Sequence, residues 1–188
     1  MGEVNQIIVG KAKLGLLEGD ITRQATEAIV NAANSSLMGG GGVDGAIHRT
    51  GGAAILEECR QIVSRIGRLD AGKAVITTGG NLPAKHVIHT VGPVWRGGGR
   101  GEAELLASAY RECLQLATDY KLKSLSFPSI STGVYSYPVA EAAKVALSTV
   151  IAFLCDVSTS LKEVFFVLYD SGTYRAYSAM LAESAGQM

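Results

Sequence analysis

The residues best equipped for chemistry crowd into positions 31–48, NAANSSLMGGGGVDGAIH. Asn31 and Asn34 supply amides, Asp44 a carboxylate and His48 an imidazole, with four consecutive glycines, Gly39 to Gly42, just before the acid. Glycines let backbone N–H groups approach an anion closely. Val43 to His48 read as the start of a helix, whose N-terminus favours negative charge. That position favours the ionised Asp44 and weakens it as a base, whereas burial acts the other way. His48 follows Asp44 by one helical turn and shares its side. Taken alone, the stretch permits a phosphate cradle, a catalytic site or a plain glycine-rich turn.

Three further loops carry polar groups after apolar runs: GDIT (19–22), STGVYSYP (131–138) and YDSGTY (169–174). Asp20 and Thr22 are turn or capping residues. An ionised Asp20 also only accepts hydrogen bonds, so it can select an adenine amine over a guanine carbonyl. Ser131, Thr132 and Gly133 form either a Ser/Thr turn or a second nest of N–H groups. Two anion-capable loops suit a diphosphate held between them. Tyr169 is either core or a flat surface for a base.

Several chemistries lack their residues. Gly40, Gly42 and Gly45 match GxGxxG, but NSSLM separates them from the preceding strand and Glu57 and Glu58 fall inside a helix. Asp44 within that motif would repel a pyrophosphate, so the dinucleotide reading is disfavoured. Neither HExxH nor a cysteine cluster is present for zinc. GxSxG is absent, and Ser131 has no evident base partner. His86 and His89 alternate to opposite faces of one strand and read as structural.

The elements that must position these groups alternate. Strands are expected at 12–19, 28–33, 73–80, 86–92, 124–130 and 163–170, and helices at 53–63, 102–120, 138–154 and 173–184. This pattern predicts an α/β fold with a mostly parallel sheet covered on both faces. Ligands in such sheets bind where loops leave the carboxyl ends of strands. RGGGRGE (96–102) reads as a surface loop before a helix. The 188 residues form a single domain, 1–188, with no repeat or linker. Hydrophobic residues make up 47%, and 17 basic residues balance 17 acidic ones, which excludes a disordered chain and a broad nucleic-acid surface. Cys59, Cys113 and Cys155 read as reduced core residues. No signal peptide or membrane span is evident, and a cytoplasmic location is expected.

Together the loops resemble the macro domain, in its MacroD-type branch, and most closely bacterial O-acetyl-ADP-ribose deacetylases. The resemblance rests on GDIT, IVNAANSSLMGGGGVDGAIHR, HTVGPVWRGG and FPSISTGVYSYP, which span nearly the whole chain. It implies a three-layer α/β/α fold with a mixed, mostly parallel sheet, binding ADP-ribose without cofactor or metal. Asp20, with the Ile21 backbone, would bind the adenine amine, and Tyr169 would stack on the ring. Ser131, Thr132, Gly133, Val134 and Tyr135 would wrap the diphosphate and reach the distal ribose, opposite Gly41, Gly42 and Val43. Asn34 would hold a distal-ribose hydroxyl, Asp44 would position or deprotonate water, and His48 would either fix Asp44 or the water or serve as a core histidine. Asn31 would tie the strand end to the loop. The implied substrates are O-acyl-ADP-ribose and mono-ADP-ribosylated Asp/Glu side chains of proteins. A pure ADP-ribose reader and an ADP-ribose 1″-phosphate phosphatase are the alternatives. Thr50 and Ser136 stand where relatives often carry alanine and glycine.

Overall fold

The computed structural model describes residues 5–187. Seven strands form one sheet: β1 (Gln6–Val9), β2 (Ala12–Glu18), β3 (Ala28–Ala32), β4 (Ala74–Thr78), β5 (His86–Thr90), β6 (Ser124–Phe127) and β7 (Glu163–Leu168). Their spatial order is β1-β2-β7-β6-β3-β5-β4. The inner pairs run parallel, and only the edge pairs β1–β2 and β4–β5 are antiparallel. The central strands β3 and β7 are rich in β-branched and aromatic residues, as strands covered on both sides require.

Among the described residues, five helices supply the cover: α1 (Gly42–Gly51), α2 (Ala53–Ile66), α3 (Glu102–Asp119), α4 (Val139–Asp156) and α5 (Ser171–Ala185). On one face, Leu106, Tyr110, Cys113, Leu114 and Ala117 of α3 pack with Ala143, Leu147 and Val150 of α4 and with Tyr177 and Leu181 of α5. That spacing is the apolar stripe of a surface helix. On the other face, Ile47 of α1 and Ile55, Cys59 and Ile62 of α2 cover Ile29 and Val87. The result is the expected three-layer α/β/α sandwich.

Two expectations change. Sequence reading passed over β1, whose Ile-Ile-Val run pairs with β2 across a two-residue turn at Gly10-Lys11. Gly10 takes the positive φ (58°) that such hairpin turns demand. The strand was missed because it lies on the sheet edge and is largely exposed, so its pattern is weak. Cys155 is exposed rather than core, whereas Cys59 and Cys113 are buried. It stands near the end of α4, where the apolar stripe has turned away. Among the described residues, no helix is long and apolar enough to cross a membrane.

Candidate functional site

The carboxyl ends of β2, β7, β6 and β3 lie side by side, and the loops leaving them enclose a cleft of about 830 Å³. That volume suits a small organic ligand. Asp20, Ile21, Asn34, Gly41, Gly42, Val43, Asp44, Ser131, Thr132, Gly133, Val134, Tyr135 and Tyr169 all line it, while His48 lies behind the lining.

Each wall has a local cause. Asp20 caps the single 3-10 turn Ile21–Arg23, its Oδ1 accepting from Thr22 N (2.9 Å) and Thr22 Oγ1 (2.7 Å). At the same end Tyr169 leaves β7 with its side chain 85% exposed, so it is not core. Asp170 then caps α5, where Thr173 N donates to its Oδ1 (2.8 Å) and Thr173 Oγ1 to its Oδ2 (2.9 Å). The Thr173 N–H holds the Asp170 carboxyl below its ordinary value.

The loop after β6 is braced from below by two buried tyrosines. Tyr177 OH donates to Ser129 Oγ (3.0 Å), which also accepts from Thr132 Oγ1 (2.9 Å), and Ile130 N donates to Tyr110 OH (3.2 Å). Ser131 takes a left-handed conformation (φ 68°), and a β-carbon on Gly92 would collide with the Ser131 Oγ and Ile130 Cγ2, so any larger residue there would displace this loop's side chains. Ser136 is also left-handed (φ 57°), a backbone conformation that favours glycine. Beside this loop, Trp95 N donates to Tyr135 O (2.9 Å). Residues 96–101 of RGGGRGE are exposed, and the Arg96, Gly98 and Arg100 N–H groups all donate to the carboxylate of the buried Glu102. Against the burial that would raise it, these donors bring Glu102 down to about 2.

The third wall is the glycine run. A β-carbon on Gly45 would collide with the Gly40 carbonyl oxygen, so the loop can fold back over α1 only with glycine there. Gly40 in turn lies against both reactive side chains, since a β-carbon on it would stand 3.2 Å from Asp44 Oδ2 and 3.4 Å from Asn34 Nδ2. Asn34 shapes this loop, donating from Nδ2 to Gly39 O (3.1 Å) and accepting on Oδ1 from Ser36 N (3.1 Å) and Ser36 Oγ (2.6 Å).

Asp44 sits in the first turn of α1, 5% exposed, with Asn31 Nδ2 donating to its Oδ1 (2.8 Å). His48 Nε2 lies 3.4 Å from the same oxygen, near enough for charge attraction but misaligned for a hydrogen bond. Burial raises the Asp44 pKa above the ordinary carboxylate value, against the Asn31 bond and the His48 charge. Desolvation therefore outweighs the Asn31 bond and the His48 charge together, and makes Asp44 a better base than an ordinary carboxylate.

Sequence reading missed the group behind the acid. Asn31 and His89 are register partners on β3 and β5, and Asn31 Nδ2 lies 3.1 Å from His89 Nδ1. His89 Nε2 lies 2.9 Å from Thr77 Oγ1 and 3.9 Å from Cys59 Sγ. Burial drives His89 down to about 3, so the ring is neutral. Only the odd spacing of His86 and His89 hinted that one of them faces α1. His48, Cys59 and His89 offer ligand atoms within 4.8 Å of one another. A cation there would break the His89 bonds to Asn31 and Thr77. It would also have to deprotonate a thiol that burial holds at about 11. The cluster reads as hydrogen-bonded core. Arg49, also missed, lines the cleft one helical turn beyond Gly45.

Comparison with known proteins agrees with this geometry. Residues 30–146 match the family model described as Macro domain. A Salmonella gallinarum protein named O-acetyl-ADP-ribose deacetylase is 54% identical over 172 residues, covering 92% of this chain and 96% of the relative. A Citrobacter koseri protein of the same name is 49% identical over 177 residues, covering 94% of this chain and 99% of the relative. Among solved structures, an Oceanobacillus iheyensis macrodomain with ADP superposes with a TM-score of 0.93 at 43% identity, covering 97% of each chain. A Trypanosoma brucei macrodomain in complex with ADP-ribose gives 0.81 at 38%, covering 89% of this chain and 68% of that one.

Proposed function

The chain belongs to the macro domain family, and from that premise we propose that it binds ADP-ribose and hydrolyses esters on the distal ribose. The substrates are O-acetyl-ADP-ribose and mono-ADP-ribose carried on Asp or Glu side chains of proteins. The observation that carries this reading is a buried carboxylate of raised pKa, Asp44, opening on a cleft between the glycine-rich loop 41–43 and the hydroxyl-bearing loop 131–135.

Asp20 and the Ile21 backbone take the adenine amine, and Tyr169 stacks on the base. The loop 131–135 and Gly41 to Val43 hold the diphosphate between them. Asn34 bonds a distal-ribose hydroxyl with the N–H left over from Gly39. Asp44 Oδ2, on the Gly40 side, orients a water and takes its proton as oxygen attacks the acyl carbon. The ester C–O bond then breaks, releasing a carboxylic acid, and the ribose oxygen regains a proton. His48 steadies the Asp44 charge. No metal and no cofactor enter this scheme. A pure reader needs the adenine and diphosphate walls but has no use for a desolvated acid at the sugar end.

Asp44→Ala tests the proposal. Turnover of O-acetyl-ADP-ribose is expected to fall about 10²–10⁴-fold, with calorimetry giving near wild-type affinity for ADP-ribose. Undiminished deacetylation would remove Asp44 from the mechanism.

A further inference from the structure

Asn31 faces two groups that both demand a proton donor: a carboxylate oxygen, Asp44 Oδ1 at 2.8 Å, and an imidazole nitrogen, His89 Nδ1 at 3.1 Å. Its amide spends both hydrogens on them, and its own Oδ1 is buried with no hydrogen-bond partner among the described residues. Turning the amide over would set its carbonyl against the carboxylate, so something must hold the costly orientation in place. The direction of each bond follows from there. An amide nitrogen only donates, so His89 Nδ1 accepts and the imidazole proton sits on Nε2. Nε2–H then donates to Thr77 Oγ1 (2.9 Å), whose own hydrogen goes to Thr78 O (3.0 Å). Asn31, His89 and Thr77 are all fully or almost fully buried, so water does not compete for these bonds.

We propose that Asn31, His89 and Thr77 form a one-way hydrogen-bond relay that positions the Asp44 carboxylate, with Thr77 setting the His89 tautomer, His89 orienting the Asn31 amide, and Asn31 holding Oδ1 so that Oδ2 faces the attacking water. This rests on Asp44 being the water-positioning acid proposed above. None of the three touches substrate; they act through Asp44. Their loss is felt in turnover rather than in affinity for ADP-ribose, whose adenine and diphosphate walls lie elsewhere in the cleft. The relay also sets the acid limb of the rate. The titratable groups around Asp44 are His48 on its own helix and Cys59 on α2, whose thiol the Asp44 charge helps to push up, with His89 on β5 lying behind Asn31. Of the groups around the acid, Asn31 is the hydrogen-bond donor that lowers its pKa. Without it the carboxylate protonates more readily, and the limb moves to higher pH.

The test compares His89→Leu, His89→Asn and Thr77→Val with Asp44→Ala and wild type. It measures kcat and KM for O-acetyl-ADP-ribose from acid to neutral pH, and ADP-ribose affinity by calorimetry. His89→Leu should lower kcat by about 10–100-fold, the scale on which outer-shell partners act. KM and affinity should change by less than about twofold, and the acid limb should rise. His89→Asn puts a carbonyl where Nδ1 accepted, and should restore most of kcat and return the limb. Thr77→Val keeps shape but removes the acceptor that sets the tautomer, so it should move kcat and limb in the same direction by less. Nitrogen-15 shifts should place the His89 proton on Nε2 in wild type. Equal kcat for the Leu and Asn variants, an unmoved limb, or a proton on Nδ1 would overturn the relay while leaving Asp44 in its role. Full activity in Asp44→Ala would overturn the reading beneath it.

Discussion

The cleft joins two regions built on opposite principles. Its rim consists of exposed groups: Val134 is 95% and Tyr169 85% exposed, and a β-carbon on Gly41, Gly42 or Gly133 would meet nothing. The floor around Asp44 is dry, with Asn31, His89 and Thr77 bonded in one direction and Asp44 itself buried. Binding a charged, flexible nucleotide needs accessible N–H groups and a flat ring. Chemistry needs a carboxylate whose protonation and orientation are set before the substrate arrives. The rim therefore tolerates change in shape better than in charge, and the floor tolerates neither.

Three variants break or sharpen this contrast. The largest effect is expected of Gly133→Glu. Its side chain has open space, so the thermal midpoint should hold, but the added carboxylate stands at the proposed diphosphate site. ADP-ribose affinity should fall at least about 100-fold, or roughly 2.7 kcal/mol. Wild-type affinity by calorimetry would mean that the diphosphate sits elsewhere. Next comes Tyr169→Ala, which removes an exposed ring and leaves the core intact. Affinity should drop by about 1 kcal/mol, with kcat at saturation unchanged; a kcat loss instead would tie the rim to the chemistry. The smallest effect is expected of Ser136→Gly. A left-handed non-glycine residue costs about 1–2 kcal/mol and glycine returns part of that as chain entropy. The melting midpoint should rise by about 1–3 °C without a change in turnover. A lower midpoint would show that the Ser136 side chain contributes more than its strain removes.

Much of the fold was legible because it repeats locally. The periodicity of Leu106, Tyr110, Cys113, Leu114 and Ala117 needs only its own helix to be read, and the alternation of strands and helices implies the layers. The loops that form the rim were legible for a similar reason, since glycines, hydroxyls and caps follow strand ends directly. What failed was whatever depended on neighbours. The β1 strand lies on an edge and carries a weak pattern, and Cys155 turned outward at the end of an otherwise apolar helix.

The sequence by itself determined an α/β sandwich, the loops at its carboxyl edge and the carboxylate among the glycines of NAANSSLMGGGGVDGAIH, because each is written in residues close along the chain. Tertiary structure alone decided the state of that acid. Asn31, His89 and Thr77 come from three strands, and the hydrogen-bond direction among them exists only once β3, β4 and β5 are in register. The raised pKa of Asp44 likewise comes from packing, because desolvation depends on atoms that residues distant in sequence bring to it.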